Sequence, residues 1–259
     1  MATYPIMLFF ACVLLGCIVI FLAICLYKVR RIHLISFEIR DNSNYIRRET
    51  ETLFAQIQAL LALERKLGLR DALPPMRGWA GSPDFLLKVA NEALRRKPQT
   101  IMECSSGVST IVLARCLQLN GTGHVYSLEN SPEYAIKTRV LLDQYGLEDW
   151  ATVLDAPLVT QFTQTPWYDE SAIPAELMLI DMLVVDGPPA STAPLARYPA
   201  LPRLLPRLSA SCTVMLDDAD RSDEVEILRR WKTQFPDFEQ THLRCEKGLV
   251  QLRRRLIGA

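Results

Sequence analysis

The longest apolar run of the chain, residues 6–27, contains no charged residue. At about 1.5 Å rise per residue a helix of that length reaches across a hydrocarbon core of roughly 30 Å. Lys28, Arg30 and Arg31 follow the run instead of preceding it. That order suits an uncleaved transmembrane anchor better than a secretory leader. By the positive-inside rule it predicts a single-pass membrane protein with residues 1–5 outside and the remainder in the cytoplasm. From Ile32 onward apolar residues recur every seven positions, at Ile32, Ile39, Ile46, Leu53, Leu60 and Leu67, so the pattern predicts a long amphipathic helix over residues 28–72. A companion seam is half filled, by Ile35, Ile57 and Leu63 but also by Asn42 and Glu49. A stalk that forms a homodimer through residues 32–67 and a helix laid on its own domain both fit this pattern.

Beyond Leu73 the pattern changes. Proline and glycine punctuate residues 73–84, marking a domain border, and the rest of the chain, 73–259, alternates between short apolar strands and amphipathic helices. Ser82 and Pro83 open a helix to about Arg96. Strands follow at Thr100–Met102, His124–Leu128, Thr152–Leu154, Met182–Val185 and Cys212–Leu216, separated by helices at about 109–119, 131–145 and 200–208. A helix over 222–235 and two strands, 238–243 and 249–252, close the chain. Alternation of this kind predicts an α/β fold that closes in a β-hairpin.

Acids stand at the strand tips: Glu103, Glu129, Asp155, Asp186, and Asp217 with Asp218. Open α/β sheets place ligands at those ends. Between the first strand and its helix lies a turn of small residues, Ser105 to Ser109, with one glycine, Gly107. Such a turn lets a ligand approach the backbone and meet the N–H groups of the helix start, while an acid at the second strand tip, Glu129, can accept both ribose hydroxyls. The dinucleotide fingerprint G-x-G-x-x-G is absent, which disfavours a nicotinamide-dependent oxidoreductase.

At these residues the sequence resembles class I S-adenosylmethionine-dependent methyltransferases, whose first motif is an acid followed by Gly-x-Gly and a small residue. Glu103, Gly107 and Ser109 match that motif, and Ser105 stands where the first glycine is usual. The resemblance runs from about Trp79 to Arg253. It implies a Rossmann-like fold with a mostly parallel seven-stranded sheet and an antiparallel last strand. It further implies S-adenosylmethionine as cofactor, Glu129 at the ribose, and Asp155 at the adenine amino group, although Asp155 before Ala-Pro also suits a plain turn. Trp79 would line the pocket. Asp186, in Asp-Gly-Pro-Pro, is the candidate catalytic residue. In catechol-type O-methyltransferases a divalent metal such as Mg2+ is held by acids after the fourth and fifth strands; Asp186, Asp217 and Asp218 fall at similar places, whereas Asp217 and Asp218 could equally cap the next helix.

Composition narrows the acceptor. The chain of 259 residues carries no formal net charge, and a glycine separates Asp186 from the two prolines, so a nucleic-acid substrate is not expected. Seven cysteines, an odd number without a C-x-x-C pair, suit free thiols. The polar, aromatic segment 161–174 supplies Trp167 and Tyr168 as substrate candidates, and Arg197 with Tyr198 supplies two more. The expectation is O-methylation of a small or lipid-linked acceptor at the cytoplasmic membrane face. A non-catalytic, membrane-tethered interaction module that retains the fold is the alternative.

Overall fold

The computed structural model describes the backbone of residues 3–76, 80–161, 165–177 and 179–255, and all of their side chains except those of 3–13, 17, 19, 34–35, 37–39 and 41–49. Two compact units result, residues 1–54 and 55–259. Helix α1 (Thr3–Leu67) supplies the first unit and opens the second. The side chains of 6–13, 17 and 19 in the predicted anchor, and Trp79, lie outside the described residues; among the described residues no helix is long and apolar enough to cross a membrane.

The heptad pattern is partly explained by packing within the second unit. Leu63 and Leu67 are wholly buried and Leu60 packs beside them, in a core shared with α2 (Pro83–Arg96) and α3 (Val108–Asn120). Leu53 and Ile57 remain exposed. The border therefore falls near residue 55 and not near 73, because the last three turns of α1 belong to the α/β unit.

The seven-stranded sheet is built from β1 (Thr100–Cys104), β2 (His124–Glu129), β3 (Ala151–Asp155), β6 (Ile180–Val185), β7 (Leu208–Asp217), β8 (Phe238–Leu243) and β9 (Leu249–Arg254). Its order is β3-β2-β1-β6-β7-β9-β8, and β9 alone runs antiparallel to the rest. A small hairpin, β4 (Leu158–Val159) with β5 (Trp167–Tyr168), stands apart. Strand order reverses between β1 and β6, so a crevice opens at their carboxyl ends.

Period-two alternation sorts the sheet's side chains onto two faces. Ile101, Met182, Val184 and Met215 pack under α2, α3 and α4 (Pro132–Gln144), with Leu63 and Leu67 in the same core. Met102, Leu183, Val185, Val214 and Leu216 pack with Trp167, Tyr168 and Trp231, the last from α6 (Ser222–Gln234). Glu92 of α2, buried, takes hydrogen bonds from Arg95, Arg96, Thr213 and Arg253 and so pins that helix to β7 and β9. Ser82 precedes α2 as expected, but its hydroxyl donates to Asp84 at 2.7 Å and makes no cap bond of its own. Gly123 is required by space: a Cβ there would overlap the Pro98 carbonyl as the chain enters β2.

If the end of α1 is part of this core, Leu63→Ala and Leu67→Ala should each cost about 2–5 kcal/mol in urea unfolding. Leu61→Ala, at an exposed position, should change it by less than about 0.5 kcal/mol. Equal, small effects at all three positions would refute the packing.

Candidate active site

A cavity of about 690 Å³ opens at the carboxyl ends of β1, β2, β6 and β7. One end is formed by the turn after β1. Ser105 has φ +125° and Gly107 φ +138°. The first is a glycine-like conformation held by a serine, the kind of local strain, of order 1–3 kcal/mol, that persists only where the surroundings enforce it. They do so here: the Ser105 N–H donates to the Leu128 carbonyl at 3.0 Å and the Gly107 N–H to Thr110 Oγ1 at 3.1 Å.

Glu103 was expected to face the cofactor. The structure instead continues β1 through Cys104, and Glu103 falls on the face beneath α3, wholly buried and outside the cavity lining. Its Oε2 accepts from Thr110 and Ser127, each at 2.6 Å. Through Thr110 it reaches the Gly107 N–H, so this carboxyl supports the turn from below. Burial pushes its pKa up to about 7, against the lowering influence of the Ser109, Ser127 and Thr110 hydroxyls. Ser105, Gly107 and Ser109 do line the cavity.

Glu129 lies on the cavity wall, 7% exposed. One oxygen accepts from Ser106 Oγ at 2.7 Å and the other from the Ser131 N–H at 2.8 Å. Ser106 was missed in the sequence, though its place inside the small-residue turn was a signal. Asp155, expected at the adenine, is not brought to the cavity. Its carboxylate is largely exposed and pairs with Arg139 of α4 at 2.8 Å.

The other end of the cavity is acidic. One carboxylate oxygen from each of Asp186, Asp217 and Asp218 lies within 4.8 Å of the others. Arg197, 3% exposed, holds the group together. Its Nη2 meets Asp186 Oδ1 at 3.2 Å and Asp218 Oδ2 at 3.0 Å, and its Nε is 3.7 Å from Glu224. It also donates to the carbonyls of Asp186, Pro188 and Asp217. Arg221 adds a 2.7 Å contact to Asp218. Burial raises Asp186 to about 6, with Arg197 opposing, and raises Asp217 to about 8, with the charges of Asp186 and Asp218 adding to the rise. Asp217 Oδ1, Asp218 Oδ1 and Glu224 Oε2 are buried with no hydrogen-bond partner among the described residues.

Of the four substrate candidates, Tyr168 and Arg197 line the cavity and Trp167 and Tyr198 do not. Trp167 is buried against Tyr168 in an edge-on pair with centroids 5.1 Å apart. The Tyr198 hydroxyl donates to Gln234. Lys247 also lines the cavity. It comes from the β8–β9 turn, which is stitched to the β7 tip by Ala219 N–H to Gly248 O and Asp220 N–H to Lys247 O, both 3.1 Å. Nothing in the local sequence of that turn signals its proximity to the acids.

Residues 104–219 match a family model described as a methyltransferase domain. No curated protein matches the chain significantly. Among solved structures, the chain is similar to an S-adenosylhomocysteine-bound methyltransferase of Podospora anserina, with TM-score 0.54, 18% identity, and coverage of 76% of this chain and 88% of that one. It is similar as well to a Bacillus cereus O-methyltransferase in complex with S-adenosylhomocysteine, with TM-score 0.54, 19% identity, and coverage of 76% and 91%. A third similar structure is the O-methyltransferase TomG of Streptomyces achromogenes, involved in tomaymycin synthesis, in complex with S-adenosylmethionine (TM-score 0.51, 17% identity, 78% and 90% covered). Residues 104–219 are thus similar to a methyltransferase domain, and the chain shares the fold of these solved methyltransferases.

Because Glu103 binds a proton more tightly when folded than when unfolded, its contribution to stability is full below the ordinary carboxylate range and is lost as pH rises to about 7. Glu103→Gln should retain the two hydroxyl bonds and flatten this decline. Urea unfolding between pH 5 and pH 8 measures it; parallel wild-type and variant curves would contradict the assignment.

Proposed function

We propose that this protein transfers a methyl group from S-adenosylmethionine to an oxygen of a small or lipid-linked acceptor. The observation that carries the reading is a single cavity with Ser105–Ser109 and Glu129 at one end and Asp186, Asp217 and Asp218 at the other.

The residues fit the cofactor. Around Gly107 no atom lies within 4 Å of where a Cβ would be, so the turn leaves open space above its backbone. Glu129, fixed by Ser106 and Ser131, presents a carboxylate at the second strand tip. S-adenosylmethionine, when bound, supplies a methyl group activated by the sulfonium. Asp186 serves the acceptor side: Oδ1 is held by Arg197 and the other oxygen has no hydrogen bond among the described residues. Ionised at neutral pH, that oxygen takes the acceptor's proton as the methyl is transferred.

A divalent cation fits the same acids on the chemistry of the donor set, which is all carboxylate oxygen and includes two oxygens, Asp217 Oδ1 and Asp218 Oδ1, buried without a partner. Asp186, Asp217 and Asp218 would hold it, and it would lower the pKa of the acceptor hydroxyl in place of proton capture by Asp186. Membrane association, with the reaction at the cytoplasmic face, is supported by the uncharged run 6–27 and the basic residues after it.

Calorimetric titration of S-adenosylhomocysteine into the detergent-solubilised full chain tests the cofactor site. Micromolar binding is expected, weakened about ten- to a hundredfold in Glu129→Ala, the range set by loss of charge-assisted hydrogen bonds. A folded protein that binds neither the product nor S-adenosylmethionine would overturn the proposal. For the cation, Mn2+ should raise the melting temperature of the wild type by several degrees and leave Asp217→Asn unmoved. An identical response in both would remove the metal.

A further inference from the structure

The glycine inside Asp186-Gly-Pro-Pro is explained by a side chain and not by the backbone. Gly187 does not adopt the left-handed conformation that favours glycine, but a Cβ there would overlap the hydroxyl of Tyr168. The same Cβ position lies 3.1 Å from the Cys104 carbonyl and 3.2 Å from Ser105 Cβ. The Tyr168 hydroxyl thus sits where the turn after β1 meets the loop after β6, between the cofactor end of the cavity and the acid end.

Tyr168 is 1% exposed and yet lines the cavity. Its ring is locked edge-on against Trp167 in the β4–β5 hairpin. Its hydroxyl has no hydrogen-bond partner among the described residues, although it is not sealed from the cavity. Phenylalanine would fill the same volume of the ring without needing the room that Gly187 leaves for a hydroxyl. The chain keeps both the hydroxyl and the glycine that makes room for it. Burial also holds the phenol well above its ordinary pKa, so it stays a neutral hydroxyl with free lone pairs.

We propose that the Tyr168 hydroxyl contacts the methyl group being transferred, accepting weak C–H···O bonds from it, and that Gly187 is the space that admits this contact. This inference rests on the cofactor reading above. A methyl on a positively charged sulfur is a better C–H donor than an ordinary methyl, which makes such a contact selective for the loaded cofactor. The hydroxyl takes no part in the bond changes. The S–C bond breaks with its electron pair going to sulfur, the C–O bond forms from an acceptor lone pair, and the acceptor proton goes to Asp186.

The test compares S-adenosylmethionine with S-adenosylhomocysteine, which lacks the methyl and the charge, by calorimetry on the full chain. In Tyr168→Phe the affinity ratio favouring the methylated ligand should fall about three- to tenfold while S-adenosylhomocysteine binding stays within about twofold of wild type. With [methyl-13C]S-adenosylmethionine bound, the methyl proton resonance should lie downfield in the wild type and move upfield in the variant. An unchanged ratio and resonance, or equal weakening of both ligands, would overturn the role of the hydroxyl and leave the cofactor site standing. Failure of the wild type to bind either ligand would overturn the cofactor reading and this inference with it.

Discussion

One buried guanidinium makes the rest of this site possible. Three carboxyl groups cannot share so small a volume in a protein interior without compensation, because each loses its hydration and repels the others. Arg197 supplies that compensation from the segment between β6 and α5 (Ala200–Leu204), pairing with Asp186 and Asp218 while donating to the main chain of Asp186, Pro188 and Asp217. The main-chain bonds matter as much as the ion pairs. They fix the carboxyl ends of β6 and β7 relative to each other, so the acids are held by a frame as well as by charge.

Topology places the other half. The turn after β1 and the loop after β6 are adjacent because strand order reverses between them. A ligand lying across the crevice therefore meets Glu129 on one side and Asp186 on the other without any chain having to reach. The turn itself is held in a conformation its residues would not choose, with Ser105 at φ +125°. Glu103 and Thr110 stand beneath it, linked by a 2.6 Å hydrogen bond, and Thr110 Oγ1 in turn accepts from the Gly107 N–H at 3.1 Å. A buried carboxyl supporting a strained turn is a costly arrangement, and it is sited where a ligand needs bare backbone.

Much of the fold was legible in the sequence because apolar runs and small-residue turns report strand and helix directly: β1, β2, β3 and β6, and the helices between them, fall within a few residues of where pattern placed them. The seven-stranded sheet with its antiparallel strand came through resemblance, not through periodicity, and the strand order came only with the structure. Side-chain direction was the weak point. Ending β1 at Met102 put Glu103 at a tip, whereas two further residues of strand turn it toward α3. Asp155 was read without Arg139, a partner sixteen residues away that captures it. Trp167 and Tyr168 were read as one irregular loop. Hairpin pairing with Leu158 and Val159 separates them, one into the core and one onto the cavity wall.

The heptad seam shows why such pattern reading divides. A repeat of seven fits a partner helix and fits equally the surface of the helix's own domain, since both bury one stripe. What decides is the partner surface, which lies elsewhere in the chain. For Leu63 and Leu67 that surface is the face of α2 and α3, and Arg115 of α3 closes the contact by donating to the Leu67 carbonyl at 2.8 Å. This bond occupies an acceptor at the end of α1 that a free stalk would leave to solvent. The last turns of α1 are therefore shaped by the α/β unit.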